Sequence, residues 1–348
     1  MYRRLYSLVL TIILVSGCTV KQQGEVLSET RLLLDTYCTI TIHGDVGQEL
    51  LDEAFDLCAE LEALLSITVE GSDVWQINHA EGEPIAVDHR TIELIKAGYE
   101  LGMLSDGMFD ITIGKLSRLW DFGNGVSYVP SEEEIQEALK SVDFARIKID
   151  GNTIKAIKPL RYPHIDGDIV RDVLPSGDNW YAWIDLGAIA KGYIGDEIAG
   201  LLIERGVSGA LIDLGGDVVT VGSRPDGNPW RVAVRKPFGS TDEFLGVLEV
   251  TGVSVVSSGI YERMFELDGV IYHHILDPRT GWPVDSDVIS ATVITESGLT
   301  GEWLSTLAIL LGSEKIPEFF EKTSGFIGAV LVLENGELLE FGDMVFLR

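Results

Sequence analysis

Between residues 48 and 65 apolar side chains recur at 50, 51, 54, 55, 57, 58, 61, 64 and 65. That is the spacing of one buried helix face. The same period predicts helices over 91–105, 192–204 and 301–311, the first stopped by Asp106-Gly107. Ser131-Glu132-Glu133-Glu134 predicts a further helix start, with an acidic first turn and capping-box spacing. Strand-like alternation marks 31–43, 180–186, 210–214, further runs through Val234, then 245–256, 266–276 and 288–295. Asp150-Gly151 predicts a hairpin over 145–157, and Asn335-Gly336 another that closes the chain after the run from Val330. Residues 160–183, rich in Asp, Gly and Pro, predict a surface loop. Strands and helices do not alternate as βαβ units, so the expected class is α+β, with mixed sheets packed against helices.

Composition narrows the function. The chain has 348 residues, 46% apolar and 23% charged, enough for a large core and unlike a disordered chain. Against 26 Lys and Arg stand 55 Asp and Glu, a net charge of −29. Such a surface repels phosphate backbones and anionic lipid, which excludes nucleic-acid binding through a basic patch. The N-terminus reads differently. Arg3 and Arg4 precede an apolar run over 5–15, too short to span a bilayer, which needs about 20 residues. Val15-Ser16-Gly17-Cys18 then resembles a bacterial lipoprotein signal. The expectation is cleavage of residues 1–17, a lipid on Cys18, and a tether over 18–30. The domain would sit at the extracytoplasmic face of the cell membrane. Cys38, in a strand-like run, and Cys58, on a helical face, read as buried thiols rather than a disulfide.

Candidate chemistry lies in short segments. Asp185-Leu186-Gly187-Ala188-Ile189-Ala190-Lys191-Gly192 ends a strand in a carboxylate and opens a helix. Free N–H groups there suit an anion, with Lys191 beside them; close helix–sheet packing explains the glycines equally well. His273-His274-Ile275-Leu276-Asp277-Pro278-Arg279-Thr280-Gly281 joins a histidine pair to a turn. Adjacent strand residues face opposite ways, so one of the two enters any site. The choice between base, ligand and structural histidine stays open. Glu302 and Thr306, four apart, put a carboxylate and a hydroxyl on one helix face, a pair that suits a hard cation or simply solvent. Ser105 to Thr112 and Ser257 to Arg263 read as polar turns.

In this order the segments resemble the ApbE family of flavin transferases. The resemblance runs from Leu34-Asp35-Thr36 through Leu64-Leu65-Ser66 and Ile77-Asn78 to Gly107-Met108-Phe109-Asp110 and Leu119-Trp120-Asp121-Phe122-Gly123. It continues through 185–192, Leu214-Gly215-Gly216-Asp217, 258–263, 273–281 and Leu304-Ser305-Thr306, over nearly all of 31–348. It implies two intimately connected subdomains in one domain over 31–348. It also implies a Mg2+-dependent FAD:protein FMN transferase that attaches FMN by a phosphoester to Thr or Ser of a partner flavoprotein and releases AMP. Carried over, Leu34, Met108, Phe109, Asp110, Asp185, Lys191 and Leu276 would contact FAD. Ala188, Glu302, Ser305 and Thr306 would hold the metal, His274 would be the general base, and Asp277 would orient it or share its role. The acceptor would carry an Asp-Gly-x-Ser/Thr-x-Ala-Thr/Ser segment in an extracytoplasmic electron-transfer protein. The sequence departs from the family pattern with Glu302 for Asp, Leu34-Asp35-Thr36 for Met-Gly-Thr, and Thr68 where an aromatic or Asn is frequent. Such changes near 68 leave an FAD pyrophosphatase as the alternative, and a flavin- or solute-binding lipoprotein as the non-enzymatic one.

Overall fold

Leu34 and Asp35 both hold left-handed backbone, with φ of 55° and 56°. They fold the first apolar run into a hairpin of β1 (Val26–Leu33) and β2 (Thr36–His43). The single strand expected over 31–43 is therefore two. Leu-Asp carries none of the Asn-Gly signal that marks such turns. Residues 26–30 pair with 39–43, so they belong to the sheet and not to the expected tether. The computed structural model describes residues 26–123, 127–156, 162–166, 169–173, 181–240 and 242–348. The expected signal, Cys18 and the first part of the tether lie outside them.

After the hairpin come α1 (Gln48–Leu65), α2 (Asp73–His79), β3 (Ile85–Ala86), α3 (His89–Leu104), α4 (Gly114–Trp120) and α5 (Glu132–Leu139). The capping box at Ser131 and Glu134 is present. The Asp150-Gly151 hairpin forms as β4 (Ile147–Asp150) and β5 (Thr153–Ala156). Part of the expected loop is a second hairpin, β6 (Tyr162–Asp166) and β7 (Ile169–Val173); the rest of 160–180 lies outside the described residues.

The second half holds α6 (Ala190–Glu204), β8 (Gly209–Leu214), β9 (Val218–Gly222), β10 (Trp230–Arg235), β11 (Phe244–Val250) and β12 (Ser254–Gly259). Then follow β13 (Met264–Leu267), β14 (Val270–His273), β15 (Val288–Thr295), α7 (Gly298–Leu311), α8 (Ile316–Lys322), β16 (Phe326–Leu333), β17 (Leu338–Gly342) and β18 (Val345–Leu347). The run over 245–256 is divided at Gly252, φ 62°, between strands of different sheets. The run over 266–276 is divided at Asp268-Gly269.

An eight-stranded sheet of order β1-β2-β8-β9-β12-β15-β16-β17 is the centre of the fold. All its pairings are antiparallel, so the α+β class holds while the sheets are not mixed. Helices α6 and α7 lie on one face and α1 packs against α6. The sheet β10-β11-β18 contributes Trp230, Val234, Leu248 and Val250 to a smaller core with Val255 and Ile294. A third cluster gathers around Trp120 and Leu276. Cys38 and Cys58 are buried free thiols, as expected. No helix among the described residues is long and apolar enough to cross a membrane.

Candidate active site

The N-termini of α6 and α7 meet backbone to backbone. A Cβ on Gly192 would lie 2.2 Å from the Gly298 carbonyl oxygen, so only glycine permits this approach. Asp196 secures it from one turn further along α6. Its carboxylate accepts from the N–H of Gly298 (2.6 Å) and Leu299 (3.1 Å) and from the Ser297 hydroxyl (2.7 Å). In return, Glu302 on α7 accepts the N–H of Gly192 at 2.6 Å. In a continuous helix that N–H would go to the carbonyl of Ala188, four residues back. Glu302 takes it instead, so the Ala188 carbonyl is not spent on Gly192.

Lys191 enters the same space. It is ion-paired to Asp217, in the turn between β8 and β9, and lies 3.7 Å from Glu302. Burial alone would lower the Lys191 pKa, but Asp217 and Glu302 outweigh it and hold the ammonium charged. Burial pushes the Glu302 carboxyl well above its ordinary range, with Lys191 opposing that shift. One turn along α7, Ser305 and Thr306 meet Ser258 at the end of β12, with oxygens 2.7 and 3.3 Å apart. The structure thus gathers Ala188, Lys191, Glu302, Ser305 and Thr306. No cluster of three or more His, Cys, Asp or Glu that could hold a metal occurs among the described residues. The set here differs in kind: one carboxylate with carbonyl and hydroxyl oxygens, the donors of a hard divalent cation.

From Ser258 the chain runs through Tyr261 and Glu262 to Arg263, whose carbonyl accepts both the backbone N–H of His274 (3.1 Å) and its ring Nδ1 (3.2 Å). A carbonyl only accepts, so Nδ1 carries the proton and Nε2 keeps its lone pair. Burial, then the charge of Arg263, lower the His274 pKa to about 4, so the ring is neutral at pH 7. His273 turns into the protein, buried and with Nδ1 unpartnered. Asp277 does not reach His274. Its carboxylate accepts from the Arg279 backbone (2.8 Å) and guanidinium (2.6 and 3.0 Å), and caps the 277–281 turn. Burial works to raise its pKa, but these bonds outweigh it and the carboxyl is held low. Leu276 buries its side chain with Leu116, Trp120 and Ile135.

The remaining expected contacts lie in three other segments of the chain. Met108 and Phe109 point into the main core, which leaves backbone for any ligand. Asp110 accepts from Thr112 N–H (2.8 Å) and hydroxyl (2.7 Å) and from Phe144 N–H (3.0 Å). Burial still pushes it up to about 6. Asp185 accepts from Ser117 (2.6 Å) and Gly187 N–H (2.9 Å). The strand expected over 180–186 reduces to one bridge, Trp183 to Ile113. Asn78 occupies the backbone of Ile184 on both sides, at 2.7 and 2.8 Å, and so replaces a strand partner. Leu34 donates its N–H to Glu62 at 2.9 Å. Sequence reasoning missed the supports Asp217, Ser258, Asn78, Asp196 and Glu62. The first three lay in quoted motifs without a role; Asp196 and Glu62 carried no signal beyond helical position.

The sequence profile of the ApbE family matches residues 34–331. The chain belongs to the ApbE family. A Klebsiella pneumoniae relative named FAD:protein FMN transferase is 34% identical over 293 residues, 84% of each chain. A Treponema pallidum protein of the same name is 30% identical over 327 residues, 90% of this chain and 86% of its own. Among solved structures, the ApbE protein of Thermotoga maritima superposes with a TM-score of 0.79 at 31% identity, covering 92% of this chain and 97% of its own. The Vibrio cholerae flavin transferase ApbE gives 0.75 at 26%, covering 91% and 97%. The ApbE architecture expected from the sequence is thereby shown, and the matched region holds the His274 turn and the α6–α7 junction.

Proposed function

We propose that this ApbE-family chain is a Mg2+-dependent FAD:protein FMN transferase. The observation that carries the reading is the junction of α6 and α7. It sets a cation, a carboxylate and a freed carbonyl at one helix N-terminus, within the electrostatic reach of a neutral His274. The relatives' name supplies the substrates. Ala188, Glu302 and Thr306, with Ser305 nearby, would hold the metal, which when bound supplies charge neutralisation at the FAD pyrophosphate. Lys191 adds a fixed ammonium there. Backbone at Met108 to Asp110, with Leu34, Asp185 and Leu276, would orient the dinucleotide.

His274 does the proton work. Its Nε2 accepts the proton of an acceptor Thr or Ser hydroxyl as that oxygen bonds to the FMN phosphorus. The bond from phosphorus to the AMP oxygen breaks, and AMP leaves. Positioning and charge neutralisation supply most of such a phosphoryl transfer. Asp277 acts through the turn that follows His274 and not through a bond to the ring. The N-terminal pattern supports a lipid on Cys18 and work outside the cell membrane, on an acceptor with an Asp-Gly-x-Ser/Thr-x-Ala-Thr/Ser segment. At Thr68 the hydroxyl turns back on Ser66 at 3.1 Å, with no aromatic plate, which supports FAD hydrolysis as a second reading.

The test uses the full-length protein, FAD, Mg2+ and a peptide with that segment. AMP release with an FMN-sized mass gain on the peptide is the expected result. AMP with free FMN and unmodified peptide indicates the pyrophosphatase. Tight FAD binding without AMP in either arm overturns both.

A further inference from the structure

The chain carries a net charge of −29, and among the described residues most arginines are spent on nearby carboxylates. Arg31, Arg90, Arg224 and Arg279, for example, each hold an acid at ion-pair distance. Arg235 and Arg263 do not: among the described residues neither has a carboxylate in ion-pair contact, and both are exposed. Both lie beside the reacting centre. Arg263 carries the carbonyl that orients His274, and Arg235 stacks over Tyr261, 5.5 Å from the ring centroid. Tyr261 stands between Ser258, which meets Ser305 and Thr306, and Arg263, which meets His274.

Phe238 completes the rim. It is 50% exposed, holds left-handed backbone at φ 57°, and meets Tyr261 edge-on at 5.8 Å. A bulky residue adopts that backbone at a cost, and such strain gathers at sites of recognition. An uncovered aromatic beside unpaired guanidinium groups matches the composition of residues that dominate protein interfaces. Glu262, between Tyr261 and Arg263 in sequence, forms no ion pair with either arginine among the described residues.

We propose that Arg235 and Arg263, with Tyr261 and Phe238, form the docking rim for the acceptor protein, and bind an acidic side chain next to its modified hydroxyl. The inference deepens the transfer reading and rests on it. Charge complementarity selects the occupant. An acidic peptide gains two guanidinium partners here, on a protein whose net charge is −29. It also places the acceptor hydroxyl on the His274 side of the site.

The test measures binding and transfer separately, on full-length protein loaded with FAD and Mg2+. Anisotropy reads the affinity of a labelled acceptor peptide with its Asp, and of the same peptide with Asn there. Mass gain reads transfer, and a separate titration reads FAD affinity. Arg235→Ala and Arg263→Ala should each weaken the Asp peptide about tenfold and leave FAD affinity within about twofold. The Asn peptide should respond to neither. Phe238→Ala should weaken both peptides. Arg263→Glu should prefer a peptide with Lys in place of Asp, which separates a charge contact from a folding defect. An equal loss of FAD affinity would show that the arginines hold the dinucleotide, and overturns the inference. Peptide affinity indifferent to all these changes overturns it too, while transfer by the unaltered enzyme would leave the transferase reading standing. AMP release with charge-dependent peptide binding but no mass gain would support the rim and defeat the transferase reading.

Discussion

Gly192 and Gly200 lie in the same helix and make opposite predictions for the same substitution. A Cβ on Gly192 would sit 2.2 Å from the Gly298 carbonyl oxygen, 2.4 Å from its carbon and 2.7 Å from the Leu299 nitrogen. All are backbone atoms, so no side chain can swing away. Restoring ordinary contact requires α6 and α7 to part by roughly 1 Å. The bond from Gly192 N–H to Glu302, now 2.6 Å, would then open to a length that no longer counts as one. Overpacking costs about 1–3 kcal/mol, and stranding a buried carboxylate adds about 1–3. Alanine's better helix propensity returns about 1. Gly192→Ala should therefore lose about 1–5 kcal/mol and most FAD-dependent AMP release. Around Gly200 nothing lies within 4 Å of the added carbon. Gly200→Ala should gain about 0.5–1 kcal/mol and keep its activity. Urea unfolding of the wild type and both variants reads this as shifts in midpoint at constant slope. A Gly192→Ala midpoint equal to that of Gly200→Ala would refute the reasoning that the helix contact builds the site.

Other expectations follow from the same geometry. With the His274 pKa near 4, the acid limb of kcat/KM for transfer should fall at about pH 4 and not near 6.5, because protonation removes the Nε2 lone pair; a limb near 6.5 sinks the assignment. His274→Ala should slow transfer far more than it weakens FAD binding, and equal losses would make the ring structural. Asp110, raised from 3.8 to about 6, binds its proton more tightly folded than unfolded. Its contribution is full below pH 3.8 and is lost as pH rises through 6, about 3 kcal/mol at 1.36 per unit. Asp110→Asn should flatten stability between pH 4 and 6, and an unchanged slope counts against the burial argument. Chelation with EDTA should abolish AMP release, and Glu302→Ala or Thr306→Ala should each raise the Mg2+ requirement at least tenfold, roughly the scale of lost metal-site support. An unaltered Mg2+ curve in both variants removes them from the metal site.

Periodicity made α1 and α3 legible, because each buries one broad face, while α7 is an apolar run buried nearly all round; α3 and α7 begin at the polar caps Asp88 and Ser297. The hairpins at Asp150-Gly151 and Asn335-Gly336 were legible from their turn residues, whereas the one at Asp268-Gly269 was hidden inside a continuous strand-like run. The Leu34-Asp35 turn was not, since its left-handed pair is held by tertiary contacts: Glu62 takes the Leu34 N–H, and Gly215 lets Thr36 pack closely. The 180–186 segment reads as a strand because it alternates, with Ala182, Ile184 and Leu186 buried. Its partner is a side chain, Asn78, and no periodicity shows that. The site divides likewise. Motif order located Lys191, His274, Glu302 and Thr306, but spacing could not show that Asp277 would turn to Arg279, or that Asp217 would claim Lys191. Asp217 arrives beside Lys191 from 26 positions away, and the Asp277 turn to Arg279, though only two positions long, follows no periodic pattern.

The charge balance at the α6–α7 junction ties these pieces together. Lys191 faces two carboxylates, Asp217 and Glu302, and burial, with the Asp217 charge added, raises the Glu302 pKa further than Lys191 can lower it. With both acids ionised the junction is negative, inside a protein that is already acidic, and would repel a pyrophosphate. With Glu302 protonated it is neutral and gives no attraction. Under the proposed reading a divalent cation resolves both states, because it ionises Glu302 and leaves the junction positive. The cation and FAD should then bind cooperatively, each raising the other's affinity by the same factor, as linkage requires. Glu302 is the residue through which that coupling passes: its carboxylate touches the α6 N-terminus, Lys191 and the α7 face at once. Its replacement by Gln should erase the coupling while leaving the helix contact, and its bond to Gly192, in place.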